Sequence, residues 1–168
     1  YGIRLGLDHL RDLAATLGHP ERSTPALIVG GTNGKGSVAA LLASIARAAG
    51  LDAGLYTSPH LENVEERIRV DGREIASADL GGLLREVTSA ARGIGHPSPT
   101  YFEAMTLSAL LHFARRKVDL AVLEVGMGGR LDATNLVDAR LAVITAIALD
   151  HQEWLGPTVD AIAREKAG

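Results

Sequence analysis

The chain has 168 residues, a formal net charge of −3, no cysteine and an isoelectric point near 6.1. That length builds one ordinary domain with a real core and leaves no room for two. Mild acidity with scattered basic residues argues against nucleic acid as a partner, and the missing cysteines exclude disulfides, thiol catalysis and cysteine-ligated metals. The N-terminal stretch YGIRLGLDHLRDL lacks the basic, apolar and small-residue regions of a signal peptide, and the longest apolar run, over 141–149, is too short to cross a bilayer. A cytoplasmic protein with no membrane partner is expected. Because the chain starts at Tyr1 without methionine and stops at Gly168 straight after a helical pattern, a piece of something longer is expected as well.

In chain order, Leu5, Leu7, Leu10, Leu13, Ala14 and Leu17 recur at helical spacing until Gly18 and Pro20 stop the pattern. Residues 26–29 (ALIV) read as a short strand buried on both faces. A glycine loop follows, then an alanine- and leucine-rich helix over about 36–49, ended by Gly50. Residues 51–56 (LDAGLY) form the next strand, which completes a βαβ unit. Residues 67–75 (RIRVDGREI) alternate in polarity around Asp71-Gly72 and predict a hairpin.

Helices are predicted over 77–92, with Ser77 as N-cap, and over 101–116, with Glu103 in the first turn. Residues 120–125 (LAVLEV) are an apolar strand holding one carboxylate, Glu124, and a second glycine-rich loop spans 126–135. A strand over 141–145 leads to Asp150-His151, and Thr158 caps a last helix ending at Ala167. Alternating strands and helices predict an α/β fold, with a mostly parallel sheet covered by helices on both faces.

The stretch GGTNGKGS between strand and helix carries the strongest chemical signal. Helix-initiating N–H groups without intrahelical partners, the helix dipole and the Lys35 charge together suit a nucleotide phosphate. Against the general template G-x-x-x-x-G-K-[ST], Val29 stands in the first glycine's place and Gly36 in the hydroxyl's, with Ser37 one residue on. A tight turn with a solvated lysine is the plain alternative. Glu124 at a strand end calls for a cation, either a hard divalent ion shared with phosphates or an arginine in a structural ion pair. His151, also at a strand end, is a packing residue or part of the same rim. By charge pattern alone Lys166, within Arg164-Glu165-Lys166, reads as solvated.

Several motifs together carry a resemblance: GTNGKGS (31–37), YTSPHL (56–61), ERIRV (66–70), LEVGMGGRLDATN (123–135), LDHQEWLG (149–156) and IAREKAG (162–168). In order and spacing they resemble the folylpolyglutamate synthase/dihydrofolate synthase family of the ATP-dependent Mur ligase superfamily, and YGIRLGL is similar to that family's first helix. The resemblance implies a reaction in which ATP phosphorylates the carboxylate of dihydropteroate or a folate and the amino group of L-glutamate attacks the acyl phosphate. It further implies that Thr32, Asn33, Gly34, Lys35, Gly36 and Ser37 hold ATP, that Ser58 and Glu124 bind a first magnesium ion, and that His151 binds a second. Lys166 resembles the family's carbamylated lysine, so that Lys35, His151 and Lys166 form the catalytic set.

Tyr101, Phe102, Ala148 and Asp150 match positions lining the pterin pocket in bifunctional members. For the two aromatics, stacking on the pterin and plain core packing both remain open. The loop over 58–66 looks like the mobile loop that covers the folate side. Family members continue past Gly168 with the rest of the ATPase domain and a C-terminal Rossmann-like domain, so residues 1–168 are expected to be a partial N-terminal ATP-binding domain, monomeric, with weak or no ligase activity alone. The alternatives are a UDP-muramyl amino-acid ligase, which shares the phosphate loop, and a non-catalytic P-loop nucleotide-binding module.

Overall fold

The computed structural model describes residues 6–168, so Leu5 and most of the YGIRLGL segment lie outside the described residues. Helix α1 (Asp8–Thr16) precedes strand β1 (Ala26–Gly30), helix α2 (Lys35–Ala48) and strand β2 (Ala53–Tyr56). A hairpin of β3 (Ile68–Val70) and β4 (Arg73–Glu74) leads to α3 (Ser77–Gly93) and α4 (Tyr101–Arg116). Then come β5 (Leu120–Glu124), β6 (Ala139–Ile144), the short helix α5 (Gln152–Leu155) and α6 (Val159–Ala167).

The sheet order is β4-β3-β2-β5-β1-β6. The four strands from β2 to β6 pair in parallel, while the hairpin extends the sheet antiparallel on the β2 side. Asp71 and Gly72, both at positive φ (51° and 77°), make the two-residue turn that the Asp-Gly signal predicts.

Alternation along the strands sends side chains to two faces. Ala26, Ile28, Tyr56, Ala121 and Leu123 pack with Leu10 and Leu13 of α1, Leu80, Leu83 and Val87 of α3, and Met105, Leu107 and Phe113 of α4. Val29 and Val122 face the other way, onto Ala39 and Ala43 of α2. Helices therefore cover both faces, as expected for apolar central strands. Each fully buried Leu, Val or Phe contributes about 1.5–3 kcal/mol relative to exposure. Gly54 admits this packing on the α4 face, because a Cβ there would lie 2.8 Å from the Phe113 ring.

Some boundaries differ from the sequence reading. β2 starts at Ala53 because the preceding residues form a corner in which Asp52 N–H donates to Asp119 Oδ2 (2.9 Å) and Asp119 N–H donates to the Asp52 carbonyl (2.8 Å). Ser77 is not the cap of α3. Ala76 holds that position, and the Ser77 hydroxyl instead donates to Glu65. Thr158 does cap α6, accepting from Ala161 N–H at 3.1 Å. Among the described residues β6 is a sheet edge, with Leu141 and Ile144 exposed.

Parallel pairing puts the C-terminal ends of β1, β2, β5 and β6 on one rim. In open α/β sheets that rim is where ligands bind. The glycine loop after β1, the TSPH segment after β2 and the second glycine loop after β5 all begin there.

Candidate functional site

The loop between β1 and α2 is tied to the end of β6. Thr145 donates to the Gly30 carbonyl through its N–H (2.9 Å) and its hydroxyl (3.1 Å). Thr32 N–H donates to the Ala146 carbonyl (2.8 Å), and the Thr32 hydroxyl donates to the Ala148 carbonyl (3.2 Å) while accepting from Ala148 N–H (3.1 Å). Gly31 has φ +130°, and a Cβ there would stand 1.9 Å from Thr145 Oγ1, so this position admits glycine alone. Gly34, at φ +84°, begins α2, whose first residue is Lys35 rather than Gly36. The Lys35 ammonium donates to the Thr32 carbonyl at 3.0 Å, which curls it over the mouth of the loop.

Glu124, at the end of β5, is buried next to that helix start. Its Oε2 accepts from Ser58 N–H at 3.0 Å, and the Gly36 N–H and Lys35 charge also favour its ionised form. Burial is the largest influence and pushes its pKa up. The alternative of a structural ion pair with arginine does not hold, since no arginine among the described residues pairs with it. A Cβ on Gly36 would lie 3.3 Å from Glu124 Oε2, so glycine there opens the space between the carboxylate and the helix N-terminus. A buried carboxylate beside Ser58 and the first turn of α2, the turn that carries Ser37, offers hard oxygen donors, which fits a magnesium-type ion carried in with phosphates. Among the described residues no three His, Asp or Glu are grouped to hold a metal by themselves.

Lys166 overturns its reading as solvated. It is 5% exposed, and its Nζ donates to the Gly31 carbonyl at 2.8 Å. Burial first and the Lys35 charge second lower its pKa, opposed by Asp150 and Asp132. The α6 C-terminus is held against the second glycine loop. Arg130 N–H donates to the Glu165 carbonyl (3.0 Å), Arg130 pairs with the Glu165 carboxylate (2.9 Å), and a Cβ on Gly129 would collide with the Lys166 carbonyl at 2.6 Å.

Asp132, which sequence reasoning passed over inside its motif, organises that loop. It is buried, accepting from Met127 N–H (2.9 Å) through Oδ2 and from Thr134 N–H (2.9 Å) and the Thr134 hydroxyl (2.6 Å) through Oδ1. Burial raises its pKa against these bonds. The Asp-Ala-Thr spacing of an Asx turn was the available signal.

His151 stands at the start of α5 in the left-handed region (φ 47°), half exposed, with Nε2 3.6 Å from Asp150 Oδ2. No described contact joins it to Ser58 or Glu124. Ala148 meets the glycine loop through the Thr32 hydroxyl, as given above.

The loop after β2 is ordered by Glu66, whose carboxylate accepts N–H bonds from Leu61 (3.0 Å), Glu62 (2.9 Å) and Asn63 (2.8 Å). These bonds hold its pKa down at about 2. Asn63 followed three residues later by Glu66 is a capping-box spacing, legible in hindsight. In the TYFE segment, Thr100 and Glu103 form the capping box of α4, and Glu103 also hydrogen-bonds His9 at 2.8 Å. The two aromatics part company. Phe102 packs inward, 6.0 Å from the Tyr56 ring and against Gly126, whereas Tyr101 is 42% exposed under the Arg67 guanidinium at 5.3 Å.

Residues 29–168 match the Mur ligase middle domain. The dihydrofolate synthase/folylpolyglutamate synthase of Escherichia coli is 49% identical over 166 residues, covering 99% of this chain and 39% of that protein. E. coli FolC, solved in complex with DHPP and ADP, aligns with a TM-score of 0.94 at 49% identity, over 100% of this chain and 40% of that one. A bifunctional folylpolyglutamate synthase/dihydrofolate synthase from Yersinia pestis, solved with AMPPNP and a Mn ion, aligns with a TM-score of 0.90 at 46% identity, over 99% of this chain and 40% of that one. The chain thus spans about 40% of the length of the solved relatives it matches. With this sheet order, this glycine loop and a domain match over nearly its whole length, the chain belongs to the Mur ligase family, as a middle domain similar throughout to the folylpolyglutamate/dihydrofolate synthases.

Proposed function

We propose that this chain is the phosphate- and metal-binding part of an ATP-dependent ligase that joins L-glutamate to dihydropteroate, to folates, or to both. The observation that carries it is the convergence of Lys35, Glu124 and Lys166 on one glycine loop, each through a short contact with residues 31–36 or their neighbour Ser58. A carboxylate is a poor electrophile. An oxygen of the acceptor carboxylate attacks the terminal phosphorus of ATP and ADP departs. The glutamate amine then attacks the acyl carbon, phosphate leaves, and the amine loses a proton to solvent.

In this reading Lys35 swings from the Thr32 carbonyl onto the phosphates, and the open first turn of α2 supplies N–H donors. Ser58, Glu124 and Ser37 would hold a divalent ion, whose charge, when bound, offsets that of the crowded phosphate oxygens. His151 serves a second metal site. Lys166, buried with a lowered pKa, is a good nucleophile toward carbon dioxide, and its carbamate would bring a carboxylate to the same rim. Tyr101, Ala148 and Asp150 line the pterin side, while Phe102 packs against Tyr56 and Gly126. Residues for adenine and for glutamate come from the part of the relatives' length that this chain does not span, and the working unit is a cytoplasmic monomer.

The test is turnover by the full-length protein. ADP and phosphate should form only when glutamate and a pteroate or folate are both present. Turnover driven by a UDP-muramyl peptide instead would refute the folate assignment.

A further inference from the structure

Arg67 is 9% exposed, yet no carboxylate among the described residues lies within ion-pair distance of it. The contrast with its peers is sharp. Arg69, Arg115, Arg130 and Arg164, all more exposed, each hold an acidic partner, Glu74, Glu86, Glu165 and Asp160 respectively. What Arg67 has is weaker. Its Nε donates to His60 Nδ1 at 2.9 Å, and its guanidinium lies over the Tyr101 ring at 5.3 Å. A guanidinium carries five donors in a planar fork. An imidazole nitrogen takes one, and a π face satisfies none of the others.

Arg67 is thus a mostly buried cation without a counter-charge, and since none of its nitrogens is both buried and unpartnered, its free donors stay open to a ligand from solvent. The backbone places Arg67 next to the Ser58–Glu124 wall. The Arg67 carbonyl accepts from Thr57 N–H at 3.0 Å, and the next residue, Ser58, donates to Glu124. Arg67 therefore stands at the rim between the metal wall and the exposed aromatic face of Tyr101.

We propose that Arg67 is the polar anchor of the acceptor subsite. It binds an electron-rich oxygen, a ring carbonyl or a carboxylate, of a flat aromatic acid lying against Tyr101. This rests on the ligase reading above and adds to it a specificity-determining residue.

The experiment is steady-state kinetics on full-length Arg67→Gln and Arg67→Lys enzymes, with dihydropteroate and folate assayed in parallel and ATP affinity measured by titration. For Arg67→Gln the acceptor KM should rise about tenfold or more, the scale of one lost charge-assisted hydrogen bond, with kcat within about threefold and ATP affinity unchanged. A penalty on both acceptors assigns the oxygen to the shared ring system, and a penalty on folate alone assigns it to the glutamyl carboxylates. Acceptor KM values within twofold of wild type for both substrates would overturn the proposal. So would a parallel fall in kcat, ATP affinity and melting temperature, which marks Arg67 as a strut between His60 and Tyr101. If Arg67→Gln does not fold, Arg67→Lys, which keeps the charge but loses the fork, decides by the same KM criterion. A wild type inactive on both acceptors refutes the ligase reading itself, whereas an active wild type with indifferent variants refutes only the role of Arg67.

Discussion

The amine of Lys166 donates to the carbonyl of Gly31 at 2.8 Å, across 135 residues of chain, and so ties the last helix to the glycine loop. Removing it should act on both ends of that tie. In the full-length enzyme Lys166→Ala is expected to lower turnover by about 10–100-fold, the usual scale for a residue supporting a metal site. Added formate or acetate should restore part of the activity if a carbamate is the working group, and mass spectrometry of the wild type in bicarbonate should show the extra carbon dioxide. Full activity of Lys166→Ala would remove the residue from the site. Linkage gives a second readout. The native pKa of Lys166 is lowered from 10.5, so the unfolded chain holds the proton more tightly and stability rises with pH between the lowered value and 10.5. Lys166→Met should flatten that rise in urea titrations.

Glu124→Gln separates metal binding from folding. The amide keeps an acceptor for Ser58 N–H but removes a charge whose burial is its dominant cost. Affinity for magnesium-ATP should fall about 10–100-fold, while metal-free ATP binding changes little and the apo protein is no less stable. Equal losses with and without metal would show that Glu124 is not a metal ligand.

Gly31→Ala should destabilise the domain by about 2–4 kcal/mol, because the new methyl meets Thr145 Oγ1 in a backbone conformation that already disfavours it. Gly50→Ala is the matched control. Gly50 also has positive φ, +85°, but its Cβ would meet nothing within 4 Å, so about 1–2 kcal/mol is expected there. Equal costs in thermal unfolding would mean that the collision with Thr145 relaxes away.

Glu66 predicts an acid transition confined to its loop. With its native pKa down at about 2 against an ordinary 4.5, its three N–H bonds add stability fully present above pH 4.5 and lost as pH falls toward 2. Hydrogen exchange at Leu61, Glu62 and Asn63 should quicken over that window. In Glu66→Gln the three amides should exchange fast at every pH, and an unchanged pH profile in that variant would refute the assignment.

The parallel core was legible because its strands are short apolar runs separated by a helix with an apolar face, and the Asp71-Gly72 turn could be read from two letters. The loop chemistry was legible only where local rules apply, as with Thr158 capping α6. Lys166 was not, because its burial comes from Gly31 and the loop around Gly129, far away in sequence. The role of Ser77 was missed because a local cap competes with a partner, Glu65, that only the tertiary fold supplies. Arg67 looked like one more charged residue in an alternating hairpin, and its withdrawal from water depends on where α4 begins.

The short helix after His151 carries the only indole of the chain, Trp154, 44% exposed, and the Trp154 backbone N–H donates to the His151 carbonyl at 2.9 Å. A single indole thus sits in the turn held by the backbone of a proposed metal residue and samples solvent directly. Its colour and quenching form a built-in optical gauge of that turn, readable without labels whenever nucleotide, metal or acceptor is added.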